Sequence, residues 1–144
     1  MASAEVKHLF NLSAERMWAL IGDFGDTGKW SGRPPEACRR EGRGVGALRT
    51  LYLADGREIV DRQTAEGPMT YSYEIVTSPL PVASYQACMA VAPVSATTCE
   101  LTWSGRFEPA GITDAEAVVF FEDIYRMGIA MMERQIAKLD AGEA

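Results

Sequence analysis

The stretch that decides the fold is residues 113–139, TDAEAVVFFEDIYRMGIAMMERQIAKL. Thr113 and Glu116 match a capping box, in which each side chain bonds the backbone amide of the other residue. No proline follows before Leu139, so the sequence predicts one helix of roughly 40 Å. Its predicted buried stripe is Phe121, Ile124, Tyr125, Gly128, Met132, Gln135, Ile136 and Leu139. A stripe of this kind indicates that one face of the helix packs on the rest of the chain.

The stretch before this helix, residues 36–107, has the pattern of strands joined by tight turns. The turns are predicted at residues 42–46, 54–56, 66–68, 78–81 and 93–97. Asp55-Gly56 between apolar runs is a strong hairpin signal, because glycine tolerates the positive φ that such turns need. Odd-numbered positions supply the apolar face, and the even positions are mostly polar. The odd-numbered set is Ala47, Arg49, Leu51, Leu53, Tyr71, Tyr73, Ile75, Tyr85, Ala87, Met89, Val91, Leu101, Trp103 and Phe107.

The N-terminal region adds one strand and two short helices. Residues 4–12 alternate in polarity, and Ser13 suits the N-cap of a helix that ends near Gly22–Gly25. A short helical piece then reaches Trp30. The whole pattern predicts an α+β fold: a curved antiparallel sheet of about seven strands around the long C-terminal helix. The inner face has more aromatic area than one helix covers, which predicts a cavity between sheet and helix.

Composition narrows the classes of function. The chain has 144 residues, 47% of them hydrophobic and 24% charged, with a formal charge of −6, and we expect one domain over residues 1–144. Its basic residues are scattered among more numerous acids, which argues against a nucleic-acid partner. There is no leader pattern and no apolar run of about 18 residues, so we expect a cytoplasmic protein without membrane insertion. Cys38, Cys88 and Cys99 are far apart, which indicates neither a metal site nor a disulfide framework.

Several segments, in order, resemble one known family. They are residues 13–24 with Trp30, 44–50, 53–56, 71–73, 80–81, Tyr85, 103–109 and 125–128. Together they resemble the START-like (SRPBCC) superfamily, especially its bacterial polyketide cyclase/dehydrase-like branch. This resemblance implies a helix-grip fold with a ligand pocket under the helix.

In the plant hormone receptors of that superfamily, two loops act as a gate and a latch over the pocket. The resemblance would place the gate at residues 54–57 and the latch at residues 78–84. The chain has Asp55-Gly56-Arg57 where the receptors continue with Leu-Pro after the glycine. Hormone sensing is therefore not expected.

Arg49 is the most informative polar residue of the predicted inner face. A buried guanidinium needs a partner, and Asp61 on the neighbouring strand is the natural one. Two interpretations remain open: a structural ion pair, or an anchor for a carboxylate, enolate or keto oxygen of a ligand.

Other motifs favour structural interpretations. His8, the only histidine, is expected to be a strand residue, with a pocket acid or base as the alternative. The glycines at 42, 44 and 46 precede a strand rather than a helix, so they indicate a turn instead of a phosphate loop. Gly128 indicates a close approach by a strand or a ligand, and Met127, Met131 and Met132 are expected to fill gaps in the core.

The predicted ligand-binding residues combine aromatic faces with a few polar groups. They are Arg49, Leu51, Asp61, Tyr71, Tyr73, Tyr85, Trp103, Phe121, Ile124 and Gly128. The leading hypothesis is a binder of a small hydrophobic, aromatic or polyketide-like molecule, without a cofactor, as a monomer or homodimer. The first alternative is a polyketide cyclase or dehydratase, for which no catalytic motif is recognised. The second is an interaction module that uses the outer face of the sheet.

Overall fold

The computed structural model describes residues 1–142. It contains one seven-stranded antiparallel sheet in the order β1-β7-β6-β5-β4-β3-β2. The strands are β1 (Ala2–Phe10), β2 (Cys38–Glu41), β3 (Leu48–Tyr52), β4 (Glu58–Gly67), β5 (Thr70–Thr77), β6 (Val82–Pro93) and β7 (Cys99–Pro109). Every turn predicted between residues 36 and 107 joins two consecutive strands, so the predicted sheet is confirmed.

The helices also confirm the sequence prediction. They are α1 (Ala14–Ile21), α2 (Gly28–Ser31) and α3 (Asp114–Asp140), with a 3-10 turn at Pro35–Ala37. The Ser13 hydroxyl accepts a hydrogen bond from the Arg16 amide at 3.2 Å. Thr113 and Glu116 form the predicted capping box, with bonds of 2.9 and 3.1 Å. The two caps satisfy amides that a helix start leaves without partners.

The antiparallel register carries the odd-numbered residues to the face that meets α3. Arg49 lies opposite Asp61 on β3 and β4, and Tyr73 and Met89 are buried on β5 and β6. Register shifts at Val60/Asp61 and Gln63/Ala65 interrupt β4. Such bulges increase strand twist and help a sheet to curl. The result is the predicted α+β arrangement of a curved sheet around one long helix.

The buried face of α3 differs from the predicted stripe. Ala117 and Ile129 are buried although the stripe omitted them, and Leu139 is 44% exposed although the stripe included it. Ile129 follows Tyr125 by four residues and therefore lies on the same face. Leu139 lies in the exposed last turns of the helix, past the final buried residue, Ile136.

The outer face of the sheet does not favour the interaction-module hypothesis. Within residues 1–142, large apolar side chains are exposed at Met1, Leu9, Val45, Val76, Val94, Val119, Met127 and Leu139. Most of these lie in turns, at the chain start or on α3 rather than together on the sheet. A docking surface would need a contiguous patch. None of the described helices has the length and apolar character required to span a bilayer.

Candidate functional site

A cavity of about 320 Å³ lies between the inner face of the sheet and α3. Its walls are mainly aromatic and aliphatic, with a small polar group at Arg49 and Asp61. The lining is Thr27, Trp30, Ser31, Arg33, Arg49, Leu51, Leu53, Ile59, Asp61, Tyr73, Ile75, Leu80, Tyr85, Trp103, Phe121, Ile124, Tyr125, Met127, Gly128 and Met131. An apolar wall with a few convergent polar groups is typical of small-molecule sites, and this volume is near the lower end of their range.

All of the predicted ligand-binding residues except Tyr71 line this cavity. They come from distant parts of the chain: β3 to β7 supply the sheet residues, and α3 supplies Phe121, Ile124 and Gly128. The strand period of two and the helix period of 3.6 explain this convergence, because each selects the face turned toward the interior.

Tyr71 is the exception, since it lies in the solid core beside the cavity. Its hydroxyl donates to Met89 Sδ at 3.2 Å. Its ring packs 5.8 Å from the Trp18 ring of α1 and 5.6 Å from the Phe24 ring, between centroids. Helix α1 and the segment after it therefore fill the space that a ligand would need near Tyr71. Strand parity predicted that Tyr71 points inward, but it carries no information about what fills the space it faces.

Arg49 and Asp61 form a buried ion pair, with Arg49 Nε donating to Asp61 Oδ2 at 2.9 Å. Arg49 Nη1 also donates to the Phe24 carbonyl at 3.1 Å. The guanidinium carbon lies 4.3 Å from the Phe24 ring centroid and 4.6 Å from the Tyr73 ring centroid. Aromatic faces and hydrogen bonds thus hold the arginine in place.

Burial and pairing act in opposite directions on the two charges of this pair. Burial alone would lower the pKa of Arg49, but the neighbouring Asp61 carboxylate raises it above its usual value. Burial raises the pKa of Asp61, and the Arg49 guanidinium opposes that rise. Asp61 Oδ1 is buried and has no hydrogen-bond partner within residues 1–142. One carboxylate oxygen of the pair therefore has unused capacity to accept a hydrogen bond.

Two tyrosine hydroxyls of the lining are held by other aromatic residues. Trp103 Nε1 donates to the Tyr73 hydroxyl at 3.1 Å, and the Tyr85 and Tyr125 hydroxyls share a hydrogen bond of 2.5 Å. Burial raises the pKa of Tyr73 to about 12. The Tyr73 oxygen accepts the indole proton, and its own O–H proton remains available for donation.

Gly128 allows Trp103 to approach α3 closely. A Cβ on Gly128 would lie 2.6 Å from the Trp103 ring. The indole stacks on Tyr125, with ring centroids 4.7 Å apart, and meets Trp30 edge to face at 6.0 Å. The close approach expected at Gly128 is therefore made by a strand residue. This glycine lets three aromatic rings form one wall of the cavity.

The positions of His8, Met127 and Met131 in the structure correct the roles predicted for them. His8 does not line the cavity; its Nε2 lies 3.7 Å from Glu133 Oε1 on α3, so the pocket acid or base hypothesis is wrong. Met132 is fully buried, as expected of a core residue, but Met127 and Met131 line the cavity instead of filling gaps. Met127 and Met131 lie to one side of the fully buried face of α3, where the cavity replaces solid packing.

Sequence reasoning missed Trp30 as a lining residue. Its Nε1 is buried without a hydrogen-bond partner among the described residues. Trp30 lies in the four-residue helix α2, where no periodicity is long enough to define a face. Tyr125 was predicted on the helix stripe but was not assigned to the site. Its place in the cavity wall depends on its stacking on Trp103, a contact that the helix spacing does not reveal.

Comparisons with solved structures identify similar proteins of known fold. Protein XoxI from Bacillus cereus is 28% identical with a TM-score of 0.85, covering 97% of this chain and 99% of that chain. An uncharacterised protein from Bacillus thuringiensis is 27% identical with a TM-score of 0.82, covering 96% and 99%. The di-domain ARO/CYC protein BexL, from the BE-7585A biosynthetic pathway, is 15% identical with a TM-score of 0.74, covering 97% of this chain and 48% of BexL; this likeness concerns the fold alone. The comparison with curated proteins returned no match.

The comparison with family models gives the broader assignment. The model described as polyketide cyclase/dehydrase and lipid transport matches residues 1–137. That match runs from β1 almost to the end of α3, so it includes the sheet, the helix and every residue that lines the cavity. The chain belongs to the polyketide cyclase/dehydrase and lipid transport family.

Proposed function

We propose that the chain binds a small hydrophobic molecule, aromatic or polyketide-like, in the cavity under α3. The observation that carries this proposal is the cavity of about 320 Å³ with its wall of aromatic rings. A solid core under the helix would have excluded a ligand. Burying apolar ligand surface against such rings is favourable at roughly 25 cal/mol per Å².

The polar groups of the wall support an oriented ligand. Most of the wall is apolar, while Asp61 Oδ1 and the Tyr73 O–H offer directional bonds. Apolar contact supplies most of the affinity in sites of this type, and a few polar groups fix the orientation. The binding role of each lining residue is part of the proposal.

Native mass spectrometry of the purified protein tests the proposal. We expect a co-purified small molecule that organic extraction releases and that the variant Ile124→Trp fails to retain, because the added indole occupies the cavity. Val119→Trp is the matched control, since Val119 lies on the same helix and is 56% exposed. Retention of the same molecule by Ile124→Trp at the wild-type level would reject this site.

A cyclase or dehydratase is the second candidate function, favoured by the unused oxygen of Asp61 in the cavity wall. A carboxylate in that position can accept a proton from a carbon or hydroxyl of a folded polyketide chain. The Tyr73 O–H can donate to a carbonyl oxygen, because burial keeps this hydroxyl protonated at neutral pH. The shape of the cavity would hold the chain in a reactive geometry.

Turnover of a synthetic poly-β-keto thioester, followed by liquid chromatography and mass spectrometry, tests this second function. We expect Tyr73→Phe to reduce the formation of cyclised product about 10²-fold. Tyr71→Phe is the control, since Tyr71 lies outside the lining and its hydroxyl donates to Met89 Sδ. Equal product from the wild type and Tyr73→Phe would remove the catalytic role of Tyr73.

A further inference from the structure

We infer that the ligand is an uncharged molecule carrying a hydroxyl group, which donates to Asp61 Oδ1, and an acceptor for the Trp30 indole N–H. This inference rests on the proposed binding function and adds the chemical class of the ligand. It also gives Asp61 and Trp30 specific roles in selecting that class.

The first observation is the unpartnered oxygen of Asp61. Asp61 is 2% exposed, its Oδ2 accepts from Arg49 Nε, and its Oδ1 has no partner within residues 1–142. The residue lines the cavity. A buried acceptor without a partner is costly, and a bond to a charged acceptor is stronger than one between neutral groups. A ligand hydroxyl next to Asp61 would remove that cost.

The second observation is the unpartnered donor of Trp30. Trp30 is 8% exposed, lines the same cavity, and its Nε1 is buried without a partner among the described residues. An indole nitrogen only donates, so its partner must be an acceptor such as an ether, carbonyl or hydroxyl oxygen. One donor and one acceptor on an apolar body complement both protein groups.

The third observation is that two nitrogens of Arg49 already donate hydrogen bonds within the protein. Its Nε and Nη1 are bonded to Asp61 and to the Phe24 carbonyl. The rings of Phe24 and Tyr73 lie 4.3 and 4.6 Å from its guanidinium carbon. The ion pair is neutral as a unit, and a ligand carboxylate beside Asp61 would bring two like charges together in a buried site. The anchor role considered for Arg49 toward a ligand carboxylate is therefore disfavoured.

Arg33 is the other cation of the lining, and it does not change this preference. It is exposed, and its Nη2 donates to the Tyr52 carbonyl at 2.6 Å. A carboxylate paired with Arg33 would gain little, because water screens exposed ion pairs. It would also leave Asp61 Oδ1 and Trp30 Nε1 unpaired.

Four naphthalene probes test the ligand class by isothermal titration calorimetry at pH 7. They are naphthalene, 2-methoxynaphthalene, 2-naphthol and 2-naphthoate, which share a ring system and differ in donor, acceptor and charge. We expect 2-naphthol to bind at least about tenfold more tightly than 2-methoxynaphthalene, because only the naphthol donates to Asp61. We expect 2-naphthoate to bind more weakly than naphthalene.

Two variants assign these preferences to residues. Arg49→Met/Asp61→Leu replaces the ion pair with apolar side chains of similar size, a change that folded proteins often tolerate. It should remove the preference for 2-naphthol over 2-methoxynaphthalene. Because the methoxy oxygen can accept from the Trp30 indole, we expect the wild type to bind 2-methoxynaphthalene more tightly than naphthalene. Trp30→Phe keeps an aromatic ring but removes the donor, so it should abolish this preference. Arg62→Gln/Glu74→Gln, an exposed pair on β4 and β5, is the control and should leave all four affinities unchanged.

The titrations distinguish a wrong ligand class from a wrong binding function. If naphthalene and 2-naphthol bind equally well, as they would if water satisfied Asp61, the inference is overturned and the binding function stands. If 2-naphthoate binds as tightly as 2-naphthol, the inference is likewise overturned. If none of the four probes binds, both the inference and the proposed function fail.

Discussion

Asp61 and Arg62 are consecutive residues of β4, and each forms an ion pair, one on the inner face of the sheet and one on the outer face. Asp61 pairs with Arg49 on the inner face at 2.9 Å, and Arg62 pairs with Glu74 on the outer face at 2.8 Å. The inner side chains are 3% and 5% exposed, whereas the outer ones are 46% and 33% exposed. The two pairs have nearly equal distances but different interaction energies, because water screens the outer pair and not the inner pair.

Charge has a different role in each of the two ion pairs. The outer pair has water as an alternative partner for either member, so its loss changes little. The inner pair has no such alternative, and Asp61, which lines the cavity, keeps one buried carboxylate oxygen without a partner within residues 1–142. A buried charge with one oxygen paired and the other unpaired beside a cavity is suited to recognising a ligand.

The largest effect is expected from removing one member of the inner pair. Asp61→Ala should lower the free energy of unfolding by about 3–5 kcal/mol, because it leaves the Arg49 charge buried without its carboxylate. Urea unfolding followed by circular dichroism measures this loss. Glu74→Ala is the outer-face control and should cost less than about 1 kcal/mol. Equal losses for the two variants would contradict the distinction between the faces.

The double variant Arg49→Met/Asp61→Leu distinguishes an unpaired charge from lost packing. It should recover most of the stability lost in Asp61→Ala, since no charge remains without a partner. If the double variant were as unstable as Asp61→Ala, lost packing rather than an uncompensated charge would explain the single variant.

An intermediate effect is expected at Gly128, on the inner face of α3. Gly128→Ala should destabilise the protein by about 1–3 kcal/mol, because the new Cβ would lie 2.6 Å from the Trp103 ring. Better helix propensity offsets up to about 1 kcal/mol of that cost. Thermal unfolding gives the change in stability, and the near-ultraviolet circular dichroism of the tryptophans reports displacement of the ring. A stabilised variant with an unchanged spectrum would show that Trp103 adjusts freely.

A smaller effect is expected from the half-buried pair between Asp23 and Arg40. Burial alone would raise the pKa of Asp23, but the two hydrogen bonds from Arg40, at 2.7 and 2.8 Å, lower it below 3.8. Its contribution to stability is therefore complete above the unfolded value and is lost as the pH falls through the lower folded value. Asp23→Asn should cost about 1 kcal/mol or less at pH 7 and flatten the stability curve below pH 4. If stability fell with pH below pH 4 in Asp23→Asn as it does in the wild type, Asp23 would not contribute to the loss of stability in acid.

The smallest effect is expected from removing both members of the outer pair. Arg62→Gln/Glu74→Gln should change the free energy of unfolding by less than about 0.5 kcal/mol, and 1 M salt should abolish the difference. A salt-independent loss above 1 kcal/mol would mean that the outer pair is not solvated as its exposure indicates.

Periodicity made the inner face of the sheet and the position of α3 predictable. Arg49 and Asp61 were identified as partners because a buried guanidinium needs a carboxylate and the two odd positions lie on neighbouring strands. The capping box fixed the start of α3 to within a residue. These features are local or periodic, so one sequence contains the information for them.

Other features of the site depend on contacts between distant elements. Tyr71 and Tyr73 have the same parity on β5, yet Tyr71 is packed against α1 and Tyr73 lines the cavity. The role of Trp30 depends on how the short helix α2 meets α3 and Trp103. No spacing rule predicts whether space between elements is filled, because filling depends on side chains from elements far apart in sequence.

The α+β fold, the inward residues and the Arg49–Asp61 pair were predictable from the amino-acid order alone. Strand and helix periods and the cost of an unpaired buried charge depend only on that order. Which part of the interior is solid and which is hollow follows from the tertiary structure alone. So do the bonds of Arg49 to Asp61 and Phe24, and the lack of partners for Asp61 Oδ1 and Trp30 Nε1 among residues 1–142. The physical reason is that packing and hydrogen-bond satisfaction are properties of several elements meeting in space.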